Sequence, residues 1–419
     1  MPEVANPDTV QLARQVAHWS LAASRLGDLD DLAAPEAWSR LESYLGVSLR
    51  RYLTEIVARL KRKAKLLQAE LDAAESAMAT NGVQNRLLAF RQQYLRAETT
   101  LDFFADAINT RASARTGAVM RACDILAQRS MAQLLEPLGK PVPIVLTYID
   151  KGLGASILKA GLRLWDGGSE NPVAAIKIVR HNLPRPTALI HEAGHQVAHI
   201  LGWNHELATV LESGLREKNP DIAEIWAGWA SEIAADAFAF VHTGYASVAA
   251  LHDVVAGEKA YVFRIVPGDP HPVSFLRVLL GVEMCRYFYG AGPWDDLGAS
   301  WIRQHPIASA GSAAPILSAS LPLLPNITRL ILDTPMRAFG GRSLSACLNP
   351  ERVRPETLEA LAQRLGPSLY TSTHWIWTEA LRLLALTGLR LATAPEHPAQ
   401  LPQQQDEWML RLAGTLKTS

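Results

Sequence analysis

Cysteine is scarce in this chain. There are three in 419 residues, and Cys123, Cys285 and Cys347 stand far apart with no CxxC or Cys/His spacing. That argues against a disulfide framework or a cysteine-built metal site, and it fits a reducing compartment. An excess of either charge is also missing. Lys+Arg and Asp+Glu are 41 each, which removes the simplest argument for nucleic acid or an anionic membrane as partner. No run of about 20 uninterrupted apolar residues occurs. The nearest, residues 308–332, is interrupted by Pro315, Pro322 and Pro325 and carries Arg329. The opening stretch MPEVANPDTVQLARQ has no basic segment followed by an apolar one, so no secretory signal peptide is expected. These absences predict a cytoplasmic protein without a membrane span, and signal-less export would leave no mark in the sequence.

What is present is an ordinary globular composition, 48% hydrophobic and 20% charged, on a chain long enough for two or three domains. Residues 8–138 read as helical. Between positions 49 and 71, Leu49, Leu53, Ile56, Val57, Leu60, Leu67 and Leu71 recur at three- and four-residue steps, with basic residues between them. The run from Lys61 to Lys65 reads as a solvated helix face. A second helix is expected over 84–108, after a break at Asn81-Gly82, giving an antiparallel hairpin. Such a hairpin could dock a protein partner or self-associate, although too few heptads are sustained for a coiled coil.

Around Pro141 the texture changes. Residues 142–149 (VPIVLTYI) and 173–179 (VAAIKIV) are short and β-branched, so they read as strands, with a third expected near 162–165. From 187 to about 289 helices return. A polar segment, 395–406, precedes a short final apolar helix. The boundaries read from sequence are 1–138 for a helical domain, 139–300 for a catalytic domain and 301–419 for a C-terminal helical region.

The chemistry lies in residues 188–202, ALIHEAGHQVAHILG. His191 and His195 are one helical turn apart on one face, so both imidazoles can reach a single ion. Glu192 is placed to take a proton from water that a metal has acidified to a pKa of about 7. Gly194 costs about 1 kcal/mol of helix propensity relative to alanine, which a close backbone neighbour would explain. The pattern alone also fits a helix with two surface histidines. A catalytic zinc needs a third protein ligand and one open position. The extended HExxHxxGxxH form fails, since Ala198 and Leu201 stand where Gly and His are required. His199 lies a full turn beyond His195, and His199 and His205 read better as ordinary histidines. Residues 229–240, WASEIAADAFAF, offer Glu232 and Asp236 one turn apart on an apolar helix, where unpaired carboxylates would be expensive. Zinc on Glu232, with Asp236 hydrogen-bonded to a ligand histidine, satisfies both. His199, His205 and Glu212 are the fallback third ligands.

HEAGH followed by the EIAAD helix resembles the gluzincin clan of zinc metallopeptidases. In that clan the second helix supplies a glutamate ligand, and the aspartate four residues on orients a histidine. Residues 269–277, DPHPVSFLR, are similar to the His-Pro…Arg segment of the HtpX and CAAX-protease branch. The resemblance implies that His271 stabilises the oxyanion and that Arg277 pairs with Asp236. It covers roughly residues 173–280, and it departs from that branch in lacking transmembrane helices. It also implies an edge strand, 173–179, before the metal helix, to which an extended peptide could add. His181, Tyr245 and Tyr261 are further residues that could contact substrate.

The expected fold is α+β and mainly helical, with a zincin-like core and a small sheet beside the metal helix. The expected function is hydrolysis of peptide or protein substrates with Zn2+ and Glu192. A zinc-containing assembly protein is the alternative from another class, and an exported effector peptidase would differ only in destination.

Overall fold

The computed structural model describes residues 7–152, 154–164, 168–393 and 400–415. It is mainly helical, with one three-stranded sheet among the described residues. The chain divides into two compact units. One takes in Met1–Ser113 with Leu158–Ala175, the other Ala114–Ile157 with Ile176–Ser419.

The first unit is built on four helices: α1 (Pro7–Arg25), α2 (Pro35–Leu45), α3 (Leu49–Asp72) and α4 (Ala77–Thr110). The periodic residues of α3, from Leu49 through Leu71, are buried, while Arg62 and Lys65 of its basic run face solvent. Glu42 ties α2 to α3 by accepting from the backbone N–H of Arg50 at 2.7 Å and from its guanidinium at 2.7 and 3.0 Å. Lys63 donates to Gln93 at 2.6 Å and Arg86 to Glu70 at 2.5 Å, a register that makes α3 and α4 antiparallel. The break expected at Asn81-Gly82 is absent, because α4 runs straight through it. The chain turns earlier, at 73–76, where the Ser76 side chain accepts from the Ala79 N–H at 3.2 Å. A good N-cap is worth about 1 kcal/mol, similar to the cost of one interior glycine, and the long helix absorbs that cost.

Along the chain, α5 (Ala114–Leu135) of the second unit precedes β1 (Ile144–Ile149), and β2 (Ser156–Leu158) and β3 (Val173–Ile178) follow. Asp124 of α5 is buried and accepts from Thr147 of β1 through both the backbone N–H (2.6 Å) and the hydroxyl (2.8 Å). The strand order is β1-β3-β2. The expected edge strand is therefore the middle one, with no free side for a peptide to join. Its sequence shows why: every residue but Lys177 is buried, a pattern of two covered faces rather than of an exposed rim. The third strand is Ser156–Leu158 rather than 162–165. Arg163 instead makes an isolated bridge with Glu170, and Trp165 lies outside the described residues.

Helices then follow in quick succession: α6 (Ala188–Leu201), α7 (Trp203–Arg216), α8 (Pro220–Gly228), α9 (Ala230–Thr243), α10 (Tyr245–Val255), the short α11 (Lys259–Val262), α12 (Ser274–Tyr289) and α13 (Pro293–Gln304). One apolar core runs through them and includes Ile176, Leu189, Ile190, Phe238, Leu276 and Trp301. The stretch Gly311–Leu332 is long and apolar enough, by length and composition alone, to cross a membrane. Its prolines do not break it. Pro315, Pro322 and Pro325 each sit at the start of a short successive helix, where a missing N–H costs nothing, and Leu317, Leu324, Ile327 and Ile331 pack into the core. The polar segment at 395–406 lies partly outside the described residues. From Gln400 on it belongs to the helix Gln400–Gly414, whose buried Gln405 donates to the Leu183 carbonyl at 2.8 Å.

Candidate metal centre

Two helices build the centre. α6 buries Leu189, Ile190, Ala193, Val197 and Ala198 together with the polar Glu192, His195 and Gln196, and it ends at Gly202, whose left-handed φ of 65° caps the last turn. α9 crosses it at glycine distance. A Cβ on Gly194 would lie 2.9 Å from Ala235 Cα, 3.2 Å from Ala235 O and 3.0 Å from Phe238 Cβ. Any side chain there would force the helices apart, so Gly194 brings the α9 carboxylates within reach of the α6 histidines.

His195 Nε2 lies 3.2 Å from Glu232 Oε1, and His191 Nε2 lies 3.5 Å from Glu232 Oε2. The two imidazole rings stand almost perpendicular, with centroids 4.8 Å apart. Ligand atoms of His191, His195 and Glu232 all fall within 4.8 Å of one another, and no other such group occurs among the described residues. His195 and Glu232 are buried and His191 nearly so. These three can hold a metal ion. Two imidazole nitrogens and one carboxylate oxygen suit a first-row divalent metal, and buried donors facing a common point are what such an ion needs.

The supporting side chains are also in place. His191 Nδ1 is 2.9 Å from Asp236 Oδ1, which fixes the ring so that Nε2 points at Glu232. Arg277, on the first turn of α12, holds Asp236 in a fork of 2.5 and 2.8 Å and reaches Glu232 at 3.2 Å. Burial alone would raise both carboxyls. Hydrogen bonds from His191 and His195, with the charge of Arg277, nonetheless keep Glu232 far below the usual carboxylate range. The charge of Arg277 and hydrogen bonds from His191 and Arg277 also lower Asp236 against its burial. Burial opposes a charged His191, but its bonds to Asp236 and Glu232 lift it to about 10. Glu192, the residue after His191, behaves differently. Burial pushes its carboxyl up, and the charges of the neighbouring histidines only partly offset this.

His271 approaches from the loop before α12, with Nε2 3.6 Å from Glu232 Oε1 and its side chain more than half exposed. Asp269 holds it by accepting from the His271 N–H at 3.0 Å and facing Nδ1 at 2.5 Å. Asp269 is not among the residues expected from sequence. An acid two residues before a histidine in D-P-H-P, where the intervening proline fixes the turn, was the available signal. Arg277, expected to pair with Asp236, serves Glu232 as well.

The fallback ligands lie elsewhere. His199 and His205 are exposed, and Glu212 pairs with Arg216 on the surface of α7. Tyr245 is buried against Trp294, with ring centroids 5.6 Å apart. Tyr261 and His181 are exposed, in α11 and in the turn before α6. Comparison with protein-family models, curated proteins and solved structures finds no match.

Proposed function

We propose that the chain is a zinc-dependent peptidase of gluzincin type, with His191, His195 and Glu232 as ligands and Glu192 as general base. The observation that carries this reading is the pairing of a three-donor metal group with a buried carboxylate next to His191 whose proton affinity is raised. Bound zinc would supply a Lewis acid that acidifies water and polarises a carbonyl. Glu192 takes the proton released as water attacks the peptide carbonyl and passes it to the departing amine. Burial raises the proton affinity of Glu192, so it holds the proton of the attacking water more readily than an ordinary carboxylate does.

With both ring nitrogens protonated, His271 donates from Nε2–H to the carbonyl oxygen as negative charge builds there, while Asp269 accepts from Nδ1–H and fixes the ring. Asp236 and Arg277 touch no substrate in this scheme. They fix the direction of the His191 ring and the Glu232 carboxylate. The resemblance of HEAGH, EIAAD and DPHPVSFLR to the gluzincin clan supports the same roles.

A metal-containing assembly protein is the competing reading. Glu192 weighs against it, because a structural site has no use for a buried carboxylate primed to exchange a proton. Cleavage of a mixed peptide library by zinc-loaded wild type, lost in Glu192→Gln with zinc retained, is the expected result. Zinc retention with no cleavage in wild type would favour the assembly reading.

A further inference from the structure

α13 runs into His305, a histidine with no part in the proposed chemistry, and what packs against it leads to both elements that complete the metal centre. His305 is buried. Its ring lies against Trp301, with centroids 4.3 Å apart, and perpendicular to Phe263 at 6.1 Å. Trp301 in turn meets the ring of His252 at 5.1 Å and donates from Nε1 to the Phe275 carbonyl at 3.2 Å. Phe263 packs on the Phe275 ring at 5.6 Å. The stack therefore touches the first turn of α12, which also bears Arg277, and the segment that leads to His271.

That segment has few anchors. Every residue from 256 to 268 is exposed except Val262 and Phe263. Past them the Val266 carbonyl accepts from the Asp269 N–H at 3.1 Å, and Asp269 holds His271, whose Nε2 lies 3.6 Å from Glu232 Oε1. The place suits a neutral imidazole. His305 Nδ1 meets no hydrogen-bonding group among the described residues. The titratable groups that face it, His252 of α10 and Lys259 of α11, can bring only positive charge, and α13 and α12 contribute the rings of Trp301 and Phe275 to the stack. Asp253, the acid beside His252, is engaged by His252 at 3.1 Å and by Arg185. Burial, then His252 and Lys259, all lower the proton affinity of His305.

We infer that His305 is a pH-sensitive fastener, which on taking up a proton releases Phe263 and loosens the segment carrying His271 together with the start of α12. A charged imidazole has no acid to pair with in this stack and is better solvated outside it. Once the stack opens, the ring regains its ordinary pKa of about 6.5. The hold is therefore full above pH 6.5 and weakens as the pH falls below it. This device does not depend on the peptidase reading, since it concerns only how the segment is held.

Hydrogen exchange read by mass spectrometry on the full-length protein tests this at pH 7.5 and pH 5.5. It is run with zinc added and again with a chelator, so that loss of metal in acid cannot mimic the change. The controls are His305→Phe, which keeps a ring in the stack but takes no proton, and His305→Gln, which is neutral without a ring. After correction for the intrinsic effect of pH, protection of residues 259–278 should fall roughly five- to tenfold further in wild type than in either variant, as a single protonation about one unit below the ordinary imidazole pKa allows. In wild type the His305 ring signal, identified by its loss from a variant, should titrate below pH 6.5 in a magnetic resonance experiment. An equal fall in wild type and variants, or a His305 that titrates at 6.5 or above, overturns the inference. Cleavage by wild type decides the peptidase reading separately.

Discussion

At the residue scale, the centre depends on partners whose removal has distinct consequences. Glu192→Gln keeps shape and volume but cannot take a proton, so peptide turnover should fall by about 10²–10⁴ with zinc content unchanged. Asp236→Asn should act on the metal. Without its charge the His191 ring is held less firmly and Arg277 loses part of its fork, so zinc affinity should drop by about 10–100-fold in a chelator competition assay. An unchanged affinity would show that Asp236 does not orient the ligand. Most of this constellation was legible in the sequence, because one-turn spacings and the cost of unpaired acids are local facts. Asp269 was not. Its partner is two residues away in an irregular loop, where no helical or strand periodicity marks a contact.

At the element scale, the close crossing of α6 and α9 sets the site. Gly194→Ala adds a methyl group that must displace the Ala235 backbone, and the strain should exceed the roughly 1 kcal/mol gained in helix propensity. The net loss, about 1–2 kcal/mol of stability in denaturant titration, should come with weaker zinc binding. α9 also carries a titration that responds to acid. His242 is completely buried. Burial, then the charge of Arg352, hold it down to about 3, against which a backbone hydrogen bond with Ser130 is too weak. The folded protein keeps it neutral, while the unfolded chain takes up a proton below about 6.5. Its stabilising contribution is therefore full above pH 6.5 and is lost as pH falls from there towards 3. Between pH 7 and pH 5 this amounts to about 2 kcal/mol. The slope of stability against pH in that window should flatten in His242→Gln. An equal slope in both proteins would assign the acid sensitivity elsewhere. Element positions themselves were largely readable from periodicity, as in α3, α6 and β3. What failed was context. The Asn81-Gly82 pair is a turn signal that a capped, packed helix overrides, and an apolar run such as VAAIKI fits a middle strand better than an edge.

At the scale of the whole molecule, two compact units share one chain but keep separate sets of internal contacts, and all the residues proposed for the chemistry lie in the second. A ligand that binds only the folded second unit stabilises that unit by mass action, about 4 kcal/mol at a thousand times its dissociation constant. Calorimetry should therefore show zinc raising the transition of the second unit and leaving that of the first in place. A shift of a single shared transition would mean that the units unfold as one. The division was not visible in composition, because it depends on residues 158–175 joining helices far earlier in the chain. The most direct test of the proposed function remains the metal itself, measured by elemental analysis on purified wild type and on His195→Ala, Glu232→Ala and Glu192→Gln, with peptide cleavage assayed on the same samples. The proposed function predicts one zinc per chain in wild type and in Glu192→Gln, none in the two ligand variants, and cleavage by wild type alone. Wild type that takes up no zinc after reconstitution, or that keeps it in Glu232→Ala, would contradict it.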